Sequence, residues 1–194
     1  MQKLFTPIAV ICLTVIILGG CGYISYVRDP FVDIPQFYQV DSRLYRGGKP
    51  TEEGIRLLKE TGITTVISLQ GPSKERNREE VLVESSGMNF ISIPMSVYRR
   101  PSDEAVMKFM ETVLNPENQP VFVHCAGGRD RTGTLVAVYR VLVYGWGPKQ
   151  AYEEAKKYGF WPYKGEEVLK NFIHQLKDKR AYFTRTEELL EMYE

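Results

Sequence analysis

The chain has 194 residues, of which 43% are hydrophobic and 25% are charged, so it has the composition of a globular protein and a length that suits one sizeable core. Its 25 Lys and Arg residues nearly balance its 24 Asp and Glu residues. This balance excludes a global positive field of the kind that attracts nucleic acid. We therefore expect no nucleic-acid partner and assign any anion selectivity to a local site.

The N-terminus has the pattern of a secretory signal. The basic residue Lys3 precedes an apolar run over residues 4–18, and Leu-Gly-Gly-Cys follows at residues 18–21. The apolar run is shorter than the roughly 20 residues that span a bilayer. Its ending resembles a bacterial lipobox, which implies cleavage before Cys21 and lipid attachment to Cys21. An uncleaved anchor helix is the alternative.

These features predict three segments: a lipoprotein-type signal peptide at residues 1–20, a lipidated N-terminus and tether at residues 21–39, and a folded domain at residues 40–194. The expected location is the bacterial cell envelope, outside the cytoplasm, with the lipid holding the protein on a membrane. The leaflet stays open. Cys12 would leave with the signal, so Cys125 would be the single cysteine of the folded domain, which then has no disulfide.

Strand patterns alternate with helix patterns along the rest of the chain. In chain order, we predict a strand at 42–46, a turn at 47–50, a helix from Thr51 to Lys59, a strand at 64–69, a helix at 77–86, a strand at 90–93, a helix at 102–114, a strand at 121–123 and helices around 135–143, 148–158 and 168–176. This alternation predicts an α/β fold, with a mainly parallel central sheet of about four to five strands flanked by helices.

The segment with the clearest chemistry is residues 121–133, where a buried strand runs into a short loop and then a helix. Cys125 and Arg131 stand at the two ends of this loop, with five residues between them. Gly127 and Gly128 let the backbone curl so that its N–H groups point inward, which at a helix N-terminus forms a site for phosphate. The same surroundings favour a thiolate, so we predict Cys125 as a nucleophile. The planar guanidinium of Arg131 is predicted to bind two phosphate oxygens.

The neighbours of these two residues complete the predicted site. The Thr132 hydroxyl is expected to donate to the sulfur when sulfur leaves. His124 either braces the loop or acts directly on the thiolate, and both interpretations stay open. A buried structural cysteine is the alternative for Cys125, and the combination of glycines and arginine disfavours it. The predicted phosphate-binding residues are Ala126, Gly127, Gly128, Arg129, Asp130 and Arg131.

The pattern His-Cys-x5-Arg-Thr-Gly at residues 124–133 resembles that of the protein tyrosine and dual-specificity phosphatase superfamily. Residues 44–51 and 62–69 are similar to the compact bacterial, fungal and plant members of the dual-specificity type, and the likeness covers roughly residues 40–161. The resemblance implies a cysteine-phosphatase fold, with the phosphate-binding loop between a strand and a helix. It also implies a phosphocysteine at Cys125 that water hydrolyses, without a metal or another cofactor.

One element of that family pattern is missing. Members usually carry an Asp general acid on a mobile loop, and here residues 93–101 contain no carboxylate. Asp103 and Asp130 are the two replacements. Residues 125–131 are similar to the loops of myotubularin lipid phosphatases and of secreted bacterial tyrosine and phosphoinositide phosphatases, where the Asp before the Arg is the proposed acid. This likeness implies Asp130; a structural carboxylate paired with Arg129 or Arg46 is the alternative.

Three functions remain open at this stage. The first is a phosphatase for phosphotyrosine, with phosphoserine and phosphothreonine as further substrates. The second is a phosphoinositide or inositol polyphosphate phosphatase that uses Arg129 and loop cations, which are Lys74, Arg76, Arg78, Arg99 and Arg100; ordinary solvated charge is the alternative for these. The third is a catalytically weak phosphate-binding module. Arsenate reduction is disfavoured because the domain lacks a second cysteine. The aromatic run at 158–163 is interpreted as packing.

Overall fold

A computed structural model describes residues 30–161 and 167–193 of the chain. A five-stranded sheet with the order β1-β2-β5-β3-β4 lies at its centre. The strands are β1 (Tyr38–Gln39), β2 (Leu44–Gly48), β3 (Thr65–Ser68), β4 (Asn89–Ser92) and β5 (Val121–Cys125). β1 is antiparallel to β2, and the other strand pairs are parallel. The predicted α/β fold with a mainly parallel sheet is confirmed.

Helices cover both faces of this sheet. They are α1 (Pro30–Asp33), α2 (Glu52–Glu60), α3 (Lys74–Ser85), α4 (Asp103–Leu114), α5 (Asp130–Tyr144), α6 (Pro148–Lys157), α7 (Glu167–His174) and α8 (Arg180–Tyr193). Because successive strand residues face opposite sides, Val66 and Phe122 pack in one cluster with residues of α2 and α3. Ile67 and Val123 pack in the other cluster with residues of α4 to α8.

The strand β2 begins and ends later than predicted. The carboxylate of Asp41 accepts hydrogen bonds from the backbone N–H groups of Arg43 and Leu44, at 2.8 and 2.9 Å, and this local turn delays the strand to Leu44. Gly47 and Gly48, predicted in a turn, extend β2 and pair with β5. These two glycines therefore lie inside the sheet beside the predicted site.

The helix α3 begins at Lys74 rather than at Asn77 as predicted. The hydroxyl of Ser73 accepts a hydrogen bond from the N–H of Arg76 at 3.1 Å and caps the helix. Lys74, Arg76 and Arg78 therefore lie on a helix and not on a loop. Arg76 forms an ion pair with Glu80 at 3.1 Å, and Arg78 forms one with Glu52 at 3.5 Å. These pairs favour the solvated-charge interpretation for both arginines.

The folded domain starts earlier than the predicted boundary at residue 40. Asp33 and Ile34 are fully buried, and the carbonyl of Asp33 accepts a hydrogen bond from the N–H of Thr51 at 2.8 Å. Tyr38 pairs with Arg46 across β1 and β2. The predicted tether is thus too long by several residues, because buried apolar and backbone contacts fix residues 33–39 to the sheet.

The C-terminal helix α8 was not predicted from the sequence. It buries Tyr182, Thr186 and Leu189, which recur every three or four residues, while charged side chains hide this stripe in the sequence. Within residues 30–161 and 167–193, no helix is both long and apolar enough to cross a membrane. The predicted signal peptide and Cys21 lie outside the described residues.

Candidate active site

The predicted phosphate-binding loop lies at the carboxyl edge of the parallel sheet. β5 ends at Cys125, which is 3% exposed, and α5 begins at Asp130. β5 is the central strand, and Cys125 pairs in register with Gly48 of β2. The carboxyl edge of a parallel sheet is where ligands bind in open α/β folds. The loop is therefore placed at the N-terminus of α5, whose dipole favours an anion.

Three glycines allow the loop to lie directly on β2. Gly128 has a φ of +70°, and a Cβ on it would overlap the Gly47 carbonyl and lie 2.5 Å from the Gly48 nitrogen. A Cβ on Gly47 would lie 2.8 Å from the ring of Phe122. The carbonyl of Ala126 accepts a hydrogen bond from the N–H of Lys49 at 3.0 Å. These contacts fix the curled path of the loop from both ends.

One edge of Arg131 is held and another is left available. Its Nη1 donates hydrogen bonds to the carbonyls of Leu69, at 3.2 Å, and Met95, at 3.4 Å. Its Nε is buried and has no hydrogen-bond partner within residues 30–161 and 167–193. A buried donor without a partner is costly, and a phosphate oxygen would satisfy it. The loops after β3 and β4 therefore orient Arg131 through Nη1 and leave Nε for a bound oxyanion.

The two candidate acids have different surroundings. The Oδ1 atom of Asp130 accepts a hydrogen bond from the N–H of Trp161 at 3.0 Å, so the carboxyl is tied to the chain after α6. Asp103 accepts hydrogen bonds from the hydroxyl of Tyr182 at 2.6 Å and from Arg100 at 3.0 Å. The Tyr182 hydrogen bond, foremost, holds the pKa of Asp103 below its ordinary value. The lowered pKa makes the protonated form of Asp103 rarer than that of an ordinary carboxyl, whereas Asp130 lies at the end of the loop, where α5 begins.

The alternative in which Asp130 forms an ion pair with Arg129 or Arg46 is not seen among residues 30–161 and 167–193. The side chain of Arg129 lies over two glycines instead: a Cβ on Gly127 would be 3.3 Å from its Nε, and a Cβ on Gly159 would be 3.0 Å from its Cδ. Arg129 is exposed and thus carries its charge at the outer side of the loop.

His124 is fully buried and contacts a carboxylate that sequence analysis missed. Its Nε2 lies 2.7 Å from Oε1 of Glu79 on α3, and Glu79 is 2% exposed. Its Nδ1 lies 3.2 Å from the carbonyl of Cys125. Since a carbonyl only accepts, Nδ1 is the donor in this contact. These contacts favour the bracing role for His124, and a direct effect on the Cys125 thiolate stays a prediction.

Thr132 and the aromatic run have the following contacts. The hydroxyl of Thr132 donates to the carbonyl of Gly47 at 3.5 Å, and its action on the Cys125 sulfur stays a prediction. Phe160 is buried in the core, and the ring of Tyr158 lies 4.5 Å from the guanidinium of Arg46, so both residues pack as expected. Trp161 is 63% exposed.

Arg46 is the second residue of the site whose role the sequence did not reveal. It lies on β2 and is 1% exposed. Its Nη2 donates a hydrogen bond to the carbonyl of Gly128 at 2.8 Å, behind the loop. In the sequence, Arg46 is the last residue of the predicted strand at 42–46, and it was named only as a possible partner of Asp130.

Comparison with known proteins matches this chain to a protein family. A model of the family described as "DSP-PTPase phosphatase fused to NAD+ Kinase" matches residues 33–171. The dual specificity protein phosphatase TpbA of Pseudomonas aeruginosa (strain UCBPP-PA14) is 26% identical over 132 residues, which are 68% of this chain and 57% of TpbA. The inositol diphosphatase SIW14 of Saccharomyces cerevisiae is 28% identical over 132 residues, 64% of this chain and 45% of SIW14. The chain thus spans about half the length of these relatives.

The fold comparison agrees with the sequence comparison. A crystal structure of P. aeruginosa TpbA in complex with pTyr matches with a TM-score of 0.65 and 23% sequence identity, covering 82% of this chain and 94% of that chain. At this identity, the match shows a shared fold.

Proposed function

Because the chain belongs to the DSP-PTPase phosphatase family through residues 33–171, we propose that it hydrolyses phosphate monoesters through a phosphocysteine at Cys125. The thiolate of Cys125 attacks phosphorus, and the bond between phosphorus and the leaving oxygen breaks while Asp130 gives that oxygen a proton. Water then attacks the phosphocysteine, Asp130 takes a proton from this water, and the sulfur leaves as inorganic phosphate forms. The proposal needs no metal in either step.

The observation that carries this proposal is the geometry of Arg131. Its Nη1 is occupied by the carbonyls of Leu69 and Met95, while its buried Nε has no partner in the described part of the chain. An arginine held in this way is pre-organised for an oxyanion, because little side-chain entropy is lost when the anion binds. The loop between Cys125 and Asp130 supplies backbone donors for the remaining oxygens.

We propose phosphotyrosine as the first substrate class, supported by the solved relative TpbA in complex with pTyr. A specific feature favours a second candidate, inositol phosphates: the exposed Arg129 lies over Gly127 and Gly159, where it would meet a further phosphate of the same substrate. The relative SIW14 is named an inositol diphosphatase. A weak phosphate-binding module is the third candidate.

A substrate panel tests the proposal. Phosphate release is measured with a phosphotyrosine peptide, a phosphoserine peptide, a phosphoinositide and inositol hexakisphosphate, in the presence of a metal chelator. Cys125→Ser is the blank. We expect turnover by the wild-type protein and none by the variant, and an Arg129→Ala variant loses rate on the inositol substrates alone if they are the physiological class. Equal phosphate release by wild type and Cys125→Ser would reject the cysteine mechanism.

We further propose that the protein is an exported lipoprotein anchored to a membrane of the bacterial cell envelope through Cys21. The basic start, the short apolar run and the Leu-Gly-Gly-Cys ending at residues 18–21 support it. The full chain produced in a bacterial host should incorporate labelled palmitate, and a Cys21→Ala variant should not. Equal labelling of wild type and variant would overturn lipidation at Cys21.

A further inference from the structure

A buried cation lies behind the phosphate-binding loop. Arg46 is the largest fully buried side chain in residues 30–161 and 167–193. No carboxylate in this part of the chain lies within ion-pair distance of it, whereas the half-buried Arg140 is paired with Glu154 at 2.9 Å. Among the residues that the structure describes, its buried Nε and Nη1 atoms have no hydrogen-bond partners. A buried charge without a carboxylate at ion-pair distance is expensive for the fold.

Two contacts hold the guanidinium of Arg46 in place. Its Nη2 donates to the carbonyl of Gly128 at 2.8 Å, and the ring of Tyr158 lies 4.5 Å from its central carbon. The hydrogen bond turns the Gly128 carbonyl toward β2, away from the inner side of the loop. A carbonyl oxygen on the inner side would repel an anion, so this contact preserves a loop of inward-facing N–H groups.

Arg46 remains a cation at neutral pH. Burial lowers its pKa from the ordinary arginine range to about 10, which still lies well above neutrality. Interactions with Tyr158 and Glu154, and then with Cys125 and Tyr38, oppose this effect. Because Arg46 contacts the loop that carries Cys125, through the Gly128 carbonyl, its buried positive charge favours negative charge in that loop.

We propose that Arg46 is a positioning residue for the phosphatase reaction, which holds the Gly128 carbonyl outward and supplies buried positive charge that favours the Cys125 thiolate. It contacts the Gly128 carbonyl from β2 and is only 1% exposed, and so acts without touching substrate. This inference rests on the proposed function for its biological purpose, but its physical content concerns the charge state of Cys125 alone. Proteins that keep a costly buried charge commonly do so at functional sites.

Other groups near the sulfur also affect its titration. On the loop and its supports these are His124, Glu79, Arg129, Asp130 and Arg131; around Arg46 they are Tyr158, Glu154 and Tyr38. His124 and Glu79 lie 2.7 Å apart, and Glu154 is paired with Arg140 at 2.9 Å. Changing Arg46 alone leaves all of these groups in the protein, so a shift in thiol reactivity can be assigned to the Arg46 charge.

The test measures alkylation of Cys125 by iodoacetamide as a function of pH, in the full chain with Cys12 and Cys21 replaced by Ser and with unfolding temperatures measured in parallel. In Arg46→Met, we expect alkylation at about pH 6 to slow by on the order of tenfold, because the midpoint pH of the alkylation profile rises by about one unit. At about pH 10, the variant and the wild type should react at equal rates. The unfolding temperature should stay the same or rise, since a costly buried charge is removed. Arg46→Gln serves the same purpose if the Met variant fails to fold.

Two control variants separate the loss of the Arg46 charge from other effects of substituting an arginine. Arg46→Lys keeps the positive charge, so its alkylation at about pH 6 should stay within roughly threefold of wild type, although the Gly128 contact is weakened. Arg140→Met removes an arginine that also lies over an aromatic ring, 4.8 Å from Trp146, but is paired with Glu154, and should not change alkylation. A lower unfolding temperature of the neutral variants with an unchanged pH profile would overturn the proposal. So would equal slowing in Arg46→Lys and Arg46→Met.

The alkylation measurement does not depend on phosphatase activity. A shifted alkylation profile in a protein that hydrolyses none of the phosphate monoesters would retain the role of Arg46 and reject the proposed function. An unshifted alkylation profile in an active phosphatase would reject the role of Arg46 and retain the proposed function.

Discussion

Replacing Arg131 with lysine should lower kcat/KM for a phosphotyrosine peptide by at least about 10²–10³-fold, the range found when one donor to a developing oxyanion is lost. In the wild type, the guanidinium donates from Nη1 to the carbonyls of Leu69 and Met95 and still has Nε for the phosphate. A lysine ammonium is a single point of charge and cannot reach both sides at once. Steady-state kinetics on the purified variant measures the loss, with circular dichroism to check the fold.

Arg129→Lys is the matched control for this variant. It makes the same chemical change two residues earlier on the loop, at an exposed side chain that lies over Gly127 and Gly159. Its kcat/KM for the phosphotyrosine peptide should stay within about threefold of wild type, because a surface charge is retained. Arg131→Lys activity within tenfold of wild type would mean that Arg131 does not bind the reacting phosphate through its guanidinium edge.

Replacing Asp130 with asparagine should lower kcat by about 10²–10⁴-fold for substrates with a poor leaving group, the usual contribution of a general acid. The variant is nearly isosteric, and its amide oxygen can still accept the hydrogen bond that Oδ1 of Asp130 accepts from the N–H of Trp161. The structural contact is thus kept while the proton is removed. An aryl phosphate whose leaving oxygen needs no proton should be hydrolysed almost as fast by the variant as by wild type.

Asp103→Asn tests the competing acid at the start of α4. The Tyr182 hydrogen bond lowers the pKa of Asp103, so at neutral pH its carboxyl carries a proton even less often than an ordinary Asp does. We expect kcat to change by less than about twofold, with a small loss of stability from the weakened Tyr182 contact. A loss in Asp103→Asn that depends on the leaving group, with Asp130→Asn unaffected, would reverse the two assignments.

The sequence predicts the catalytic loop well because its information is local. The apolar strand, the glycines and the spacing of Cys125 and Arg131 lie within residues 121–133, and the neighbouring strands have strong β-branched patterns. The alternation of strand and helix patterns along the chain likewise predicts the parallel sheet. In contrast, the boundary at residue 40 was placed too late, because Ile34 and Asp33 are buried by contacts with residues that are distant in sequence.

The supporting residues of the site could not be predicted for a physical reason. The helix α3 carries several carboxylates, at Glu75, Glu79, Glu80 and Glu84, and only the packing of α3 beside β5 places Glu79 next to His124. Nothing in the order of residues distinguishes it from Glu80, which pairs with Arg76 instead. Arg46 could not be predicted for the same reason, because its burial becomes apparent only when β2, Gly128 and Tyr158 come together.

From the strand order, we expect the active site to be the last part of the sheet to form. β5 is the final strand in the chain, yet it lies between β2 and β3, and residues 44–48 must pair with residues 121–125 across a segment that contains β3, β4 and the helices α2 to α4. Such distant pairings are slow steps in folding. Until β5 arrives, the β1–β2 and β3–β4 pairs each expose an open edge, which invites pairing with other chains. Since the phosphate-binding loop continues directly from β5, completion of the sheet, protection of its edges and creation of the nucleophile's surroundings occur in one folding event.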